Sequence, residues 1–426
     1  MEALEFGLRE FPLQRKEQER DHGRQYTTGG GVHTLAAVTD SIWLADSITP
    51  RPKLSGRHET QVVIAGGGLT GIQLAYHLSK ERVPCAVLER GAIGGGASGR
   101  NAGFVLTGDH YHYPVSKHVF GPERAKTVWR LTERNRELLA DIVANEGIDC
   151  DFRRSGSLRA AASASEASLL RKAHAELRAD GFEVDLVDLE RFDGALRFPR
   201  DGEIHPVRYA RGLARAVERL GGRIFEETPI VSTRSEGAEI EIRTEGGEVH
   251  AAVFAACTNA YTGPLVAYFE EAILPVRGQI LSTEPIAERA IPAPVYFNFG
   301  AEYARQLPTG EVLLGGGRRL EGSFFTTTDE TPTVKVQQFL DGVLVERFPR
   351  ARGARIARRW AGLMGFSCDE LPNVGFLPGT VNTFVCAGYT GHGLGLSTIL
   401  TRMAADLIVR GRSDLPYAMF DPRRHA

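Results

Sequence analysis

The sequence predicts an α/β protein of the α+β two-domain type, in which a βαβ layer is interleaved with a mostly antiparallel domain. Three observations carry this. The β-branched run QVVIAGGG (61–68) stops at glycines and is followed by a helical period and a second strand, PCAVLER (84–90). The same α/β alternation resumes across 205–257, and strand-rich blocks separate the two stretches and follow the second.

Taken in order, residues 1–26 are dense in mixed charge and precede GGG at 29–31, so 1–40 is expected to be a mobile extension. SIWLADS (41–47) is more apolar and is read as an arm lying against the domain. In LTGIQLAYHLSKE, Leu69, Ile72, Ala75 and Leu78 recur at helical spacing. A long helix is expected over Glu123–Glu146, where Val128, Leu131, Leu138, Leu139, Ile142 and Val143 form one stripe. Short strands follow at GSLRAA (from 156) and GEIHPV (from 202), then helix, hairpin and buried strand to 257. A second strand-rich block runs from LPVRGQILSTEP to EVLLGGGR, with a helix at about 333–347. STILTRMAADLIVRG, through Ile399, Met403, Leu407 and Ile408, makes a final helix ending near Gly411. The expected division is 41–150, 205–272 and 356–426 for the nucleotide-binding domain, with 151–204 and 273–355 for a substrate domain.

With 426 residues and 42% hydrophobic content, the chain can bury at least one large core. Its 51 basic and 53 acidic residues nearly cancel, which excludes a sequence-wide field for nucleic acid and favours a small partner. Five dispersed cysteines without a CxxC pair, no apolar run near the ~20 residues of a membrane span and no signal-peptide core suggest a soluble, cytoplasmic protein.

Gly66, Gly68 and Gly71 form G-x-G-x-x-G between strand and helix, where glycine lets the backbone approach a pyrophosphate at the helix N-terminus. Glu89 ends the next strand roughly 20 residues on, placed to accept adenosine ribose hydroxyls and to disfavour a 2′-phosphate. The Gly-rich loop GAIGGGASGRNAGF (91–104) is longer than NAD needs and suits a cofactor whose second half crosses toward another domain.

GGGLTG, LER, GASGRNAG, CTNAYTG, VRGQIL, WAGLMGFSCDELPNVG and AGYTGHGLGLS, in this order, resemble the D-amino-acid oxidase superfamily of FAD enzymes. TNAYTG, PVRGQ and EYARQLPTGEVLLGGGR are most similar to its γ-glutamylputrescine oxidoreductase branch, beside the glycine and sarcosine oxidases. The resemblance covers about 41–415 and implies a Rossmann-like domain holding FAD. It puts Gly66, Gly68, Gly71, Glu89, Arg90, Ala97 and Ser98 on the ADP half, with Asn101 and Gly103 near the flavin. Leu69, Thr70, Arg100, Ala102, Gly362 and Leu363 join the implied cofactor set, and Val231 is similar to the residue whose backbone meets adenine. Gly391, His392, Gly393 and Leu394 would offer helix N-terminal N–H groups to flavin N1 and C2=O, which makes His392 a member of the flavin pocket rather than a proton carrier.

The departures are informative. At the two positions where the similar oxidases hold a substrate carboxylate with a cation, this chain has Met364 and Gly395. An unpartnered buried carboxylate is costly, so simple α-amino acids are expected to be poor substrates. The covalent-flavin cysteine of monomeric sarcosine oxidases would fall at Gly362, with Cys368 further on, so FAD is expected to be non-covalent. Their oxygen-activating lysine matches Leu313, which leaves O2, a quinone or a carrier protein as acceptor.

Tyr303 and Arg305 are the expected substrate-facing pair, with Arg305 as a relocated anchor for an acidic group. Arg277 and the cluster HYHYP (His110–Pro114) are candidates for the entrance, and His110 and His112 lack a third ligand nearby, so no metal is expected.

The implied reaction moves a hydride from the carbon beside an amine nitrogen to flavin N5, leaving an imine that water hydrolyses. No catalytic base is nominated. The alternatives are an N-methyl or D-amino-acid oxidase or dehydrogenase with a relocated anchor, and a non-catalytic flavin-binding protein. A flavin hydroxylase would show Gly-Asp where CAGYTGHG stands, and a disulfide reductase would need a cysteine pair and a second dinucleotide motif.

Overall fold

The computed structural model describes residues 40–46, 49–237, 239–322 and 326–425. Most of the expected extension over 1–40 therefore lies outside the described residues. The chain begins with β1 (Gly56–Ala65), α1 (Leu69–Lys80), β2 (Cys85–Leu88), β3 (Phe104–Val105), α2 (Tyr113–Phe120) and α3 (Pro122–Asn145). It continues through β4 (Ser157–Ala160), α4 (Ala164–Ala179), β5 (Asp185–Val187), β6 (Ala195–Phe198), β7 (Gly202–Glu203), α5 (Pro206–Arg219) and β8 (Arg223–Phe225). Then come β9 (Ile230–Glu236), β10 (Glu239–Thr244), β11 (Gly247–Ala256), α6 (Thr262–Leu265), β12 (Ile273–Thr283), β13 (Val295–Phe297), β14 (Glu302–Gln306) and β15 (Val312–Gly315). The last elements are α7 (Val334–Arg347), β16 (Ile356–Ser367), β17 (Asn373–Phe376), β18 (Thr383–Ala387) and α8 (Gly393–Arg410).

Two eight-stranded sheets organise these elements. In the first, the strands lie in the order β17-β18-β11-β1-β2-β8, parallel from β18 to β8. β1 lies between β2 and β11, so the strand order reverses direction there, which is the usual place for a ligand crevice in such a sheet. Alternation along β1 sends Val62 and Ile64 into the core beneath the helices, and Val63 and Ala65 into the core on the opposite face. β11 is forked: Ala251 to Glu248 pair with β10, while Phe254 to Ala256 pair with β18.

The second sheet runs β16-β12-β15-β14-β13-β4-β6-β5 and is antiparallel except where β13 meets β4. α7 packs on it through Val336, Leu340 and Leu344. The expected domain break at 356 does not follow the sheets, because β16 pairs along the whole of β12, from Ile273 against Ser367 to Thr283 against Ile356. The chain changes sheet only after Ser367.

The arm expected at SIWLADS is seated: Trp43 is buried among Val207, Ile280, Leu313 and Trp360. No helix among the described residues is long and apolar enough to cross a membrane.

Candidate active site

Strands β1, β2, β11 and β18 all end on one side of the first sheet, and the loops after them line a single cavity of about 690 Å³. The second sheet closes it with residues of β12, β14 and β16, so the cavity lies between the two sheets.

At the β1 end, α1 starts directly after the glycines, and its first turn presents backbone N–H groups that no helical carbonyl can accept. Ser98 Oγ takes one of them, from Leu69 N at 2.9 Å. A Cβ on Gly71 would stand 1.9 Å from Gly66 O, so only glycine lets the helix lie this close to the strand end. Glu89 accepts from Gly67 N at 2.6 Å and Gly91 N at 2.7 Å, which fixes the carboxylate at the cavity wall with lone pairs remaining. Thr228, Pro229, Ile230, Tyr261 and Leu265 wall this end. Val231 is outside the lining and 65% exposed, because β9 alternates and it is Ile230 that faces the cavity.

The loop 97–103 crosses from the first sheet to the second. Asn101 pins it by donating to Ala97 O and Ser98 O at 3.0 and 2.8 Å and accepting from Gly103 N at 2.7 Å. Trp43 Nε1 and Trp360 Nε1 hold the same loop through the carbonyls of Asn101 and Arg100, at 2.6 and 3.1 Å. Gly362 receives it closely: a Cβ there would sit 2.8 Å from Arg100 Cβ. Arg100 donates to Ala361 O and pairs with Glu330, both at 3.0 Å, and Glu330 accepts from Tyr261 Oη. The exposed Arg90 stacks on the Tyr261 ring at 3.9 Å.

At the far end, α8 begins at the cavity. Gly391, His392, Gly393 and Leu394 line it, and Asn135 of α3 braces the helix through Leu394 O at 2.8 Å and Ile399 N at 3.1 Å. Burial, and secondarily the neighbouring His110, push the His392 pKa down to about 3, so this imidazole is neutral. Its Nδ1 meets Thr390 O at 3.3 Å. A carbonyl only accepts, so Nδ1 carries the proton and Nε2 is left as an acceptor. Tyr296 stacks on the ring at 5.8 Å and contacts Tyr303 at 5.6 Å, with Phe104 edge-on to both tyrosines. Phe366, Met364 and Arg318 complete this aromatic end.

Of the expected site residues, Gly66, Gly68, Leu69, Thr70, Glu89, Arg90, Ala97, Ser98, Arg100 to Gly103, Tyr303, Gly362 to Met364 and Gly391 to Leu394 all line this cavity. Others are placed elsewhere. Gly71 acts from behind, through packing. Gly395 is buried in the first turn of α8 beside Leu106 O.

Arg305 is covered over rather than open to the cavity, and is 2% exposed. It pairs with the buried Glu203 at 3.0 Å and donates to the carbonyls of Ala102, Gly103 and Ile204. Arg277 is buried against Glu321 and Asp329 at 2.7 and 2.9 Å, not at the entrance. Leu313 is in the core with Trp43. His110 reaches the wall, whereas His112 pairs with Glu166 at 3.0 Å. Sequence reasoning missed Arg318, Tyr296 and Phe366, whose only signal was proximity to strands already marked as facing the site.

Cys368, Asp369 and His425 gather within 4.8 Å of one another outside this cavity. Arg424 already holds both oxygens of Asp369.

A family model described as FAD dependent oxidoreductase matches residues 61–407. The chain is 27% identical over 374 residues to γ-glutamylputrescine oxidoreductase of Escherichia coli K12, covering 85% of this chain and 87% of the relative. It is 26% identical over 366 residues to glycine oxidase of Bacillus licheniformis, covering 83% and 94%. Among solved structures, glycine oxidase from Geobacillus kaustophilus superposes with a TM-score of 0.76 at 23% identity, over 87% of this chain and all (100%) of that one. L-proline dehydrogenase from P. horikoshii gives 0.75 at 22%, over 87% and 98%.

Proposed function

The chain belongs to the DAO family of FAD-dependent oxidoreductases, which act on amines or amino acids, and on that premise we propose that it oxidises a C–N bond of an amine. FAD, when bound, would supply the hydride acceptor, and the imine left behind would be hydrolysed by water to a carbonyl compound and an amine. The cradle fits this cofactor. Glycines admit the backbone at Gly66 and Gly71, a carboxylate stands at the adenosine end, and a second helix N-terminus closes the other end.

The observation that carries the reading is the aromatic end beyond the cradle, which Phe104, Tyr296, Tyr303 and Phe366 line and where a neutral His392 stacks on Tyr296. Hydride leaves readily only from an amine whose nitrogen lone pair is unprotonated. The desolvation that keeps His392 neutral disfavours an ammonium in the same place. Its Nε2 acceptor can take one N–H of the bound amine and so turn the reacting C–H. We read the three blocks around β1–β3, β8–β11 and β17–α8 as the cofactor domain and the second sheet as the substrate domain.

The flavin is held without a covalent bond in this reading. Cys368 lies outside the cavity, and the cysteine that does line it, Cys257, is buried beside the Gly66 turn with its thiol pKa raised by burial. All five cysteines are unpaired, which supports a reducing, cytoplasmic compartment.

Anaerobic mixing with putrescine, γ-glutamylputrescine, sarcosine, D-alanine and L-proline tests the proposal. Bleaching of the oxidised flavin band by at least one amine is expected, and bleaching by none would leave a flavin-binding protein without this activity. Readmitting air, or adding a soluble quinone, then identifies the electron acceptor. Acid precipitation should leave the flavin in solution, and flavin that stays with the protein refutes the non-covalent reading.

A further inference from the structure

We propose that His110 is the base of this site, taking the proton of the substrate ammonium before the C–H bond breaks, and that Glu370 holds the imidazole for that task. The inference rests on the amine-oxidation reading and adds the proton transfer which that reading needs.

An alkylamine is an ammonium at neutral pH, since its pKa is about 10. Its nitrogen lone pair is then tied up in an N–H bond, and a group at the aromatic end must take that proton. His392 cannot keep it, because burial lowers its pKa to about 3. His110 is also on the cavity wall, and its ring lies 5.6 Å from that of His392. An amine nitrogen at His392 is therefore close to both rings.

The fold grips His110 from several sides. Arg159 of β4 donates to Thr107 O, Asp109 O and Tyr111 O at 3.1, 2.7 and 2.6 Å, and so clamps the backbone before and after it. The turn before β14 packs on its carbonyl, where a Cβ on Gly300 would stand 2.8 Å from His110 O. The Tyr111 ring lies against the imidazole, with centroids 4.0 Å apart.

Glu370 Oε2 faces His110 Nε2 at 3.5 Å. Its other oxygen accepts from Tyr111 Oη at 3.0 Å, and burial, then the Glu370 charge, keep that phenol protonated. The residue sits in the turn after β16 with φ of 65°, a left-handed conformation that costs a non-glycine residue free energy. Glu370 Oε2 is buried and accepts no hydrogen bond among the described residues, so an imidazolium N–H is the donor that would satisfy it. Around the ring, Arg159 and Arg318 oppose a positive imidazole, whereas Asp109 and Glu370 favour one. Asp109 is already engaged by Tyr111 N, Ser116 Oγ and Trp129 Nε1, and His112 by Glu166. Burial holds Tyr296 neutral, with its pKa raised to about 12.

In the proposed step the ammonium N–H bond breaks, its electron pair stays on nitrogen, and the proton passes to His110 Nδ1 while Nε2–H donates to Glu370. The nitrogen pair then forms the C=N bond as the neighbouring C–H leaves as hydride, which FAD accepts under the same reading. The imidazolium afterwards returns its proton to solvent.

The test mixes the FAD-loaded enzyme anaerobically with whichever of putrescine, γ-glutamylputrescine, sarcosine, D-alanine and L-proline bleaches it fastest, from about pH 7 to about pH 10. His110→Gln is expected to slow bleaching roughly a hundredfold or more at the lower pH. The gap should close toward the upper pH, where solution supplies the neutral amine, whereas loss of a merely structural ring leaves a gap that pH does not close. Glu370→Gln should show a smaller loss that closes in the same way, and it decides if His110→Gln does not retain FAD.

A second readout needs no turnover. tert-Butylamine has no hydrogen on the carbon beside its nitrogen and cannot be oxidised. It is added at concentrations that slow bleaching, at about pH 8.5, and protons are counted with an indicator dye. The unaltered enzyme should release none, and His110→Gln about one per amine bound, because without the base only neutral amine enters. The proposal is overturned if the variants keep the unaltered rate, if the gap is the same at every pH, or if both proteins release equal numbers of protons. Each of those results leaves the amine-oxidation reading standing, whereas bleaching by none of the five amines removes both.

Discussion

At the residue scale, buried polar groups decide what the protein tolerates. His77 is 4% exposed, and burial, with Arg402 as the second cause, takes its pKa from 6.5 to about 3. His205 is likewise lowered to about 4. An unfolded chain protonates both near 6.5 while the folded one does not, so their contribution is complete above that pH and is lost as pH falls toward 3 or 4. Each histidine contributes a slope of up to about 1.4 kcal/mol per pH unit. Thermal midpoints measured from pH 7 to pH 5 should therefore fall, and His77→Gln should flatten the fall. An unchanged slope would clear this histidine of the effect.

Arg305 makes the opposite case, a charge kept inside by its partner. Arg305→Met leaves the buried Glu203 to the part-exposed Arg153, at a cost of up to about 3–5 kcal/mol. Urea unfolding should show that loss, with part of it restored by adding Glu203→Gln. Substrate preference should not follow the change. The parity of β14 was readable, since Tyr303 and Arg305 do share a face. What covers that face at Arg305, the 102–103 turn and β7, comes from distant chain and leaves no mark in the local pattern.

At the scale of elements, the β1-turn-α1 unit was legible because its glycines answer a local demand. Gly71→Ala drives a methyl against Gly66 O, where 1.9 Å is available. The variant should purify without FAD, or release it on gel filtration, while its circular dichroism stays that of a folded α/β protein. β16 was harder to place. WAGLMGF reads equally as a strand of either sheet, and only its pairing with β12, Gly278 opposite Gly362 and Val276 opposite Met364, assigns it. Arg318 was invisible for a related reason. A residue after two glycines could point anywhere until the turn is packed, and no periodicity reports such a direction.

For the molecule as a whole, the arm at 41–46 adds a brace across three parts that also touch one another directly. Trp43 packs on α5 and on the second sheet and donates to the loop 97–103. Trp43→Ala should cost about 3–5 kcal/mol, the usual range for deleting a buried tryptophan. It should also quicken FAD release, since the loop loses a brace behind the cavity wall. Equal release rates from the variant and the unaltered protein would confine the arm to stability.

The fork in β11 and the two converging helices have a consequence in time. The parallel sheet needs β18, and the cradle needs both α1 near its start and α8 near its end, so contacts separated by more than half the chain must wait for synthesis to finish. At ribosomal speed that interval lasts on the order of tens of seconds. From its own synthesis until β18 emerges, β11 carries an open apolar edge beside its finished hairpin. On the proposed reading of the cradle, a nascent chain stopped before α8 lacks one end of the place for its cofactor, so FAD would join a chain whose synthesis is complete.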